Sequence, residues 1–306
     1  MRKKKNQQGD FTPRKLNQKL SGVYNFSDYR KTGNKILYGV FISALVLFVL
    51  VALVPIVWLM ITSFKTITEI NSTTYHLFPE VFDITKIFKV WQKMNLLKYY
   101  GNTLIVVIGA IICSVFFNGL LAYVVGILKP VGHKIIHVMI LLGYMIPSAL
   151  SIVPLFMAIT KFQMMNTYIP LCLTFGANAY YYMLLKNSFE RTPVSLIEAA
   201  RMDGLGELKI FFKIILPLNK SILGVVAIFT MTAAYCDFLL PMLVLQDESM
   251  ATIMVFIYNL GTMSTPMFDT SDFLMLLVIS MIPQIILFII FQKQILGGAT
   301  AGGVKE

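Results

Sequence analysis

The stretch ILYGVFISALVLFVLVALVPIVWLMITSF, residues Ile36 to Phe64, lies between Lys35 and Lys65 and carries no charged side chain. About 20 mostly apolar residues in an α-helix cross the ~30 Å hydrocarbon layer of a bilayer. Backbone polar groups find no water there and must bond to one another, so an uncharged run of this length reads as a spanning helix.

Five further runs follow. The second lies within Tyr99 to Leu128, bounded by Lys98 and Lys129, and the third within Ile135 to Thr160. A fourth begins near Tyr168 and ends at Leu185, a fifth runs from Ser221 to about Leu245 with Asp237 inside it, and a sixth from Phe273 to Gln292. The expected fold is therefore all-α, a polytopic membrane protein with six transmembrane helices over residues 36–292. Composition agrees: 57% of residues are hydrophobic and 13% charged, where a soluble domain has roughly 25% charged. The mean hydropathy is +0.74. Strands of a membrane barrel alternate in polarity over ~10 residues, and these runs do not.

Lys and Arg accumulate on the cytoplasmic side of membrane proteins. With the N-terminus inside, the tail 1–35, the loop 129–134, the segment between the fourth and fifth runs and the tail 293–306 hold 20 of the 26 Lys and Arg. Gln246 to Asp272 holds none, yet carries Asp247, Glu248, Asp269 and Asp272. Both termini are expected in the cytoplasm. The net charge of +11 is concentrated in the first 35 residues; it is read as a topology signal or a contact with anionic lipid rather than a nucleic-acid site. The first run starts too late and is too long for a cleavable leader.

Cys113, Cys172 and Cys236 fall in different runs and read as small apolar core residues. His133 and His137 can share a helix face, but two imidazoles with no carboxylate or thiol beside them do not make a metal site. In the outer segment 65–99, Pro79 breaks the chain. Ile84 to Trp91 then repeats apolar residues near helical spacing, which fits an interfacial helix with Trp91 and Tyr99 at headgroup level.

The third run contains Pro147 and Pro154. A proline inside a span frees backbone groups that neighbours or water must satisfy, so these mark either a pathway wall or a plain kink. Asp237 is the one carboxylate inside a run; it either hydrogen-bonds a hydroxylated substrate or caps a helix broken by Pro241. Tyr180, Tyr181 and Tyr182 offer aromatic faces and hydroxyls suited to sugar rings.

One polar island interrupts this apolar chain: Leu196-Ile-Glu-Ala-Ala-Arg-Met-Asp-Gly-Leu-Gly206, running on to Ile214-Ile-Leu-Pro217. Thr192 is placed to cap a helix that starts at Pro193. Leu196, Ile197 and Ala200 can share one face of it, and Gly204 and Gly206 end it. A second helix runs from Leu208 until Pro217 disrupts it. Two short helices at a bend on the cytoplasmic surface make a knob.

Glu198-Ala199-Ala200, three residues, Gly204, nine residues, then Ile214-Ile215-Leu216-Pro217 resembles the signature of permease subunits of binding-protein-dependent ABC importers. Asn102-Thr103, Ala122-Tyr123, Met145-Ile-Pro147, Ile152-Val-Pro154 and the Gly-rich stretch Gln294 to Lys305 resemble the carbohydrate-uptake, maltose-type branch. The resemblance implies a bacterial plasma-membrane permease that pairs with a second permease, two cytoplasmic ATPase subunits and an extracytoplasmic solute-binding protein. It implies that Glu198, Ala199, Ala200, Asp203, Gly204, Leu216 and Pro217 form the ATPase-coupling region within the loop 187–219. For the substrate pathway, Pro147, Tyr181, Tyr182, Tyr235, Cys236 and Asp237 are the candidates. Where the branch carries Trp-Asn before its acid, this chain has Tyr235-Cys236 before Asp237.

The spacing Gly298 to Gly303 superficially starts a phosphate loop, but Val304 stands where its lysine is required. No catalytic residue and no cofactor are expected in this chain, and ATP and magnesium would belong to the partner ATPases. The competing reading is an ion-driven secondary transporter or channel working without an ATPase, which usually places several ionisable groups near the midplane. A membrane-embedded enzyme would need a His, Cys or carboxylate constellation that the runs lack.

Overall fold

The computed structural model describes residues 32–74, 76–262 and 269–301. Most of the basic tail 1–35 and the last five residues of the Gly-rich segment lie outside them. The chain forms two compact units, Met1–Trp58 and Leu59–Glu306. In the first, the described residues belong to α1 (Thr32–Ser63), which is apolar all round over its central turns. That is the surface of a helix solvated by hydrocarbon.

The second unit is helical throughout its described elements. Residues between the first two runs form α2 (Ile67–Ile70) and α3 (Thr85–Lys93). Thr66 and Glu69 close a reciprocal capping box on α2. Lys86 of α3 donates to the carbonyl oxygens of Ser63 and Lys65 and to the Ser271 hydroxyl, so one ammonium gathers three segments.

The second run is a continuous helical path from Leu96 to Leu128. It comprises α4 (Leu96–Cys113), a π-helical turn (Ser114–Asn118), α5 (Gly119–Tyr123) and a second π-helical turn (Val124–Leu128). α4 approaches the following helices closely, since a Cβ added at Gly109 would run into Cys172 Sγ. Small residues at such crossings are what helix packing in lipid relies on, because burial from hydrocarbon brings no hydrophobic gain.

Three expected spans prove to be broken. The third is α6 (His133–Tyr144) and α7 (Ser148–Lys161), bent by 108° where Pro147 precedes α7. Proline has no N–H to continue α6 and disfavours helical backbone in its predecessor. The fourth is α8 (Ile169–Thr174), a 3₁₀ turn (Phe175–Ala177) and α9 (Ala179–Phe189), interrupted at Asn178 in extended backbone. Buried Asn118 satisfies that break: its Nδ2 donates to the Phe175 carbonyl at 2.9 Å, and its Oδ1 accepts the Asn178 N–H at 2.9 Å.

The fifth stops early. α13 (Lys220–Cys236) ends before Asp237, which is extended, and α14 (Leu239–Val244) follows. Asp237 thus stands at a helix break rather than inside a spanning helix. α15 (Ile253–Thr262) precedes α16 (Thr270–Ala301), which carries helix beyond the expected sixth span into the Gly-rich segment. By length and apolarity three described helices can cross a membrane, or five if each of two bent pairs makes one span; six were expected. The difference is the broken fourth run, where neither helix is long enough alone.

Buried side chains gather in three clusters. Tyr99, Tyr235, Phe256 and Met275 centre one that joins α4, α13, α15 and α16. Val106, Ile159, Leu171 and Val244 join α4, α7, α8 and α14. The third contains Tyr123, Tyr182, Phe189 and Phe211, and it supports the island.

Candidate coupling surface and membrane cavity

The island folds as α10 (Val194–Met202), a turn, α11 (Glu207–Ile210), a π-helical turn (Phe211–Ile215) and α12 (Leu216–Leu218). α10 begins one residue later than expected. Pro193 is its N-cap in extended backbone, and the Thr192 hydroxyl accepts from Asn219 Nδ2 at 3.2 Å instead of capping the helix.

At its C-terminus, Gly204 takes φ +77, and the Leu205 N–H donates to the Ala200 carbonyl at 3.0 Å while the Gly204 N–H donates to that of Arg201 at 3.0 Å. This is a Schellman closure, which needs one left-handed residue and is cheapest with glycine.

Ile197 and Ala200 are 2% and 6% exposed and belong to the third cluster. Ala200 therefore permits close approach to this chain's own helices, while Leu196, expected on the same face, points outward at 45% exposure. Glu198, Ala199, Met202, Asp203 and Leu208 are exposed with it. Neither Glu198 nor Asp203 has a side-chain partner among the described residues. α10 presents an outer face of apolar and acidic groups on an element whose inner face is locked into the core.

Two residues the sequence reading passed over hold this element in place. Glu207 accepts from Arg201 Nε at 2.8 Å and from the Tyr123 hydroxyl, tying α11 to α10 and to α5. The Arg201 guanidinium and then the Tyr123 hydroxyl keep the Glu207 carboxyl below its ordinary value.

Asn219, 8% exposed, occupies the knee where the path Glu207–Leu218 turns by 85° into α13. Its Oδ1 accepts from Ser188 Oγ at 2.7 Å, and its Nδ2 donates to the Ile215 carbonyl at 2.9 Å as well as to Thr192. The break thus falls at Asn219 and not at Pro217, which lies inside α12, exposed; Leu216 is half-buried beside it. A lone amide just ahead of an apolar run was the available signal.

Among the pathway candidates, Pro147 and Tyr182 border one open cavity of ≈ 650 Å³, with Asn118, Tyr144 and Asn178. Tyr182 is fully buried and its hydroxyl lies 3.0 Å from His137 Nδ1. Tyr181, 6% exposed, packs in the third cluster, so these two rings are not laid open to a ligand. Tyr235, also 6% exposed, donates its hydroxyl to the Ser280 carbonyl at 2.8 Å. Neither Tyr181 nor Tyr235 lines that cavity, and nor do Cys236, which is exposed, and half-buried Asp237. Phe238 rather than Asp237 stands at the N-cap of α14, which carries no side-chain cap hydrogen bond.

Residues 118–297 match the family model of the binding-protein-dependent transport system inner membrane component. The chain belongs to this family. The permease is 30% identical to the inner membrane ABC transporter permease protein YcjP of Escherichia coli, over 87% of its own length and 95% of that protein's. It is 30% identical to the arabinooligosaccharides transport system permease protein AraQ of Halalkalibacterium halodurans, over 83% and 92%. With the diacetylchitobiose uptake system permease protein NgcG of Streptomyces coelicolor it shares 29%, over 85% and 86%. Its fold superposes with a TM-score of 0.76 on a chain of a bacterial ABC transporter involved in import of the acidic polysaccharide alginate, at 22% identity over 88% of the permease and 98% of that chain. It is a multi-pass component of a membrane transport system.

Proposed function

We propose that the permease forms half of the translocation pathway for a sugar or oligosaccharide in an ABC importer, with separate ATPase subunits driving it through the loop 187–219. The observation that carries this reading is α10: Ile197 and Ala200 are buried in the chain's own core while Leu196, Glu198 and Met202 stand exposed. An outward face on a rigidly seated element is suited to transmit a push from a docked partner. Glu198 and Asp203 supply polar contacts, Ala199 allows close approach, Gly204 fixes the turn, and Leu216 and Pro217 lead into the knee. ATP and magnesium belong to the ATPases.

The assembly proposed is this permease, a second permease, two ATPases and an extracytoplasmic solute-binding protein, with both termini of the permease in the cytoplasm. Closure of the ATPases would turn the cavity from inward to outward facing. Pro147 and Tyr182 are proposed as cavity-wall residues, and Tyr235, Cys236 and Asp237 as pathway residues at the outer helix break. Tyr181 supports the wall from behind. The carbohydrate assignment is supported by the named substrates of the relatives, arabinooligosaccharides and diacetylchitobiose.

Reconstituting the permease with its partner permease, ATPases and solute-binding protein, and measuring ATP-dependent uptake across a panel of oligosaccharides, tests the proposal. Uptake of at least one glycan that stops without ATP is expected. Transport by the permease alone on an ion gradient would overturn it.

A further inference from the structure

A second cavity, ≈ 280 Å³, lies where the end of the second run, the start of α6 and the last turns of α9 meet. Lys129, His133, Lys134, His137 and Lys186 line it against one carboxylate, Glu190. Glu190 is paired with Lys186 at 2.9 Å. Lys129 and Lys134 have no side-chain partner among the described residues, so two ammonium groups remain uncompensated. Both imidazoles are oriented by this chain: His133 Nδ1 lies 3.0 Å from the Pro130 carbonyl oxygen, and His137 Nδ1 3.0 Å from the Tyr182 hydroxyl.

The remaining lining is apolar, from Val125 and Val138. From Val138 an exposed apolar face continues along α6 through Ile135, Met139 and Leu142, which are 67%, 66% and 58% exposed. A small soluble anion would use the cations and gain nothing from this face. A phosphodiester with attached acyl chains would use both.

We propose that this cavity holds the phosphate of an anionic lipid headgroup, with Lys129 and Lys134 as its charge partners and the acyl chains laid along the exposed face of α6. The inference rests on the topology proposed above, with both termini in the cytoplasm, which puts the loop 129–134 on the side where anionic lipid creates a negative surface. Its position beside Lys186 and Glu190, a few residues ahead of α10, puts the bound lipid next to the coupling element.

Native mass spectrometry of the full chain in detergent, incubated with phosphatidylglycerol, phosphatidylcholine or inorganic phosphate, tests it. The wild type is expected to retain phosphatidylglycerol in preference to phosphatidylcholine. One lysine near an anionic headgroup is worth about fivefold in affinity, so the double variant Lys129→Gln/Lys134→Gln is expected to lose roughly twenty-five-fold. Lys89→Gln/Lys161→Gln, which removes equal charge elsewhere, is expected to bind as wild type. Lys134→Gln alone, at an exposed position, is expected to lose about fivefold and serves if the double variant does not purify.

Equal retention of the two lipids, unchanged retention in the lysine variants, or full displacement of phosphatidylglycerol by an equal concentration of inorganic phosphate would each overturn the assignment. Binding in detergent does not depend on orientation. Labelling of Lys134→Cys in sealed vesicles by an impermeant thiol reagent reads orientation separately, so failure of the topology is distinguishable from failure of the site.

Discussion

Gly204 closes α10 in left-handed backbone, with nothing within 4 Å of where a Cβ would stand. Space is therefore no obstacle, and only the backbone conformation penalises a side chain. Gly204→Ala is expected to cost ~1 kcal/mol and Gly204→Val more, whereas Gly204→Asn, which tolerates this region, costs less. Uptake per ATP hydrolysed in the reconstituted importer is expected to fall in the order Asn, Ala, Val, with membrane insertion unchanged by each; equal coupling in all three would remove Gly204 from the mechanism. Asn219 acts differently, because its amide serves Ser188, Thr192 and Ile215 at once. Asn219→Leu fills a similar volume but strands those groups, and at about 1–3 kcal/mol for a buried unsatisfied partner it should lower the thermal midpoint of the purified permease visibly.

At the scale of elements, the link from Tyr123 through Glu207 to Arg201 joins a membrane helix to the knob. Because the Glu207 carboxyl is held below its ordinary value, the charged link contributes above about pH 4 and is lost as pH falls through the lowered value. The difference in thermal midpoint between wild type and Glu207→Gln is expected at neutral pH and should vanish in acid; a constant difference would contradict the linkage. Gly109→Val forces α4 away from Cys172 and is expected to destabilise by ~1–3 kcal/mol, read as earlier loss of the folded permease on heating in detergent.

Continuous elements such as α1, α16 and the path through α4 and α5 were legible in the sequence because a long uncharged run can satisfy its backbone in lipid only as a helix. The breaks at Asn178 and Asn219 were not. Both are held by side chains from distant segments, Asn118 for Asn178 and Ser188 and Thr192 for Asn219, and the sequence does not show which segments will meet. Proline was an uneven guide: Pro147 marks a true bend, while Pro217, expected to disrupt its helix, sits within α12.

Over the whole molecule, membership of the permease family was legible in the residue gaps of the island. The identity of the cargo was not, since cavity walls are assembled from α5, α6 and α9 and three of the four aromatic candidates are committed to packing or internal hydrogen bonds. If Pro147 and Tyr182 border the route, Tyr144→Trp, which narrows the same cavity from an exposed position, is expected to slow uptake of long glycans more than short ones. Equal slowing across lengths would place the route elsewhere.

The division of α10 into a seated inner face and a free outer face has a consequence for engineering partner choice. Grafting an entire loop from another permease would import foreign residues at Ile197, Ala200 and Ile210, which are fitted to Tyr123, Phe189 and Phe211. Exchanging only Leu196, Glu198, Met202 and Leu208 leaves that fit intact. A small set of exterior substitutions should therefore rewire which motor the permease answers to, without rebuilding the permease.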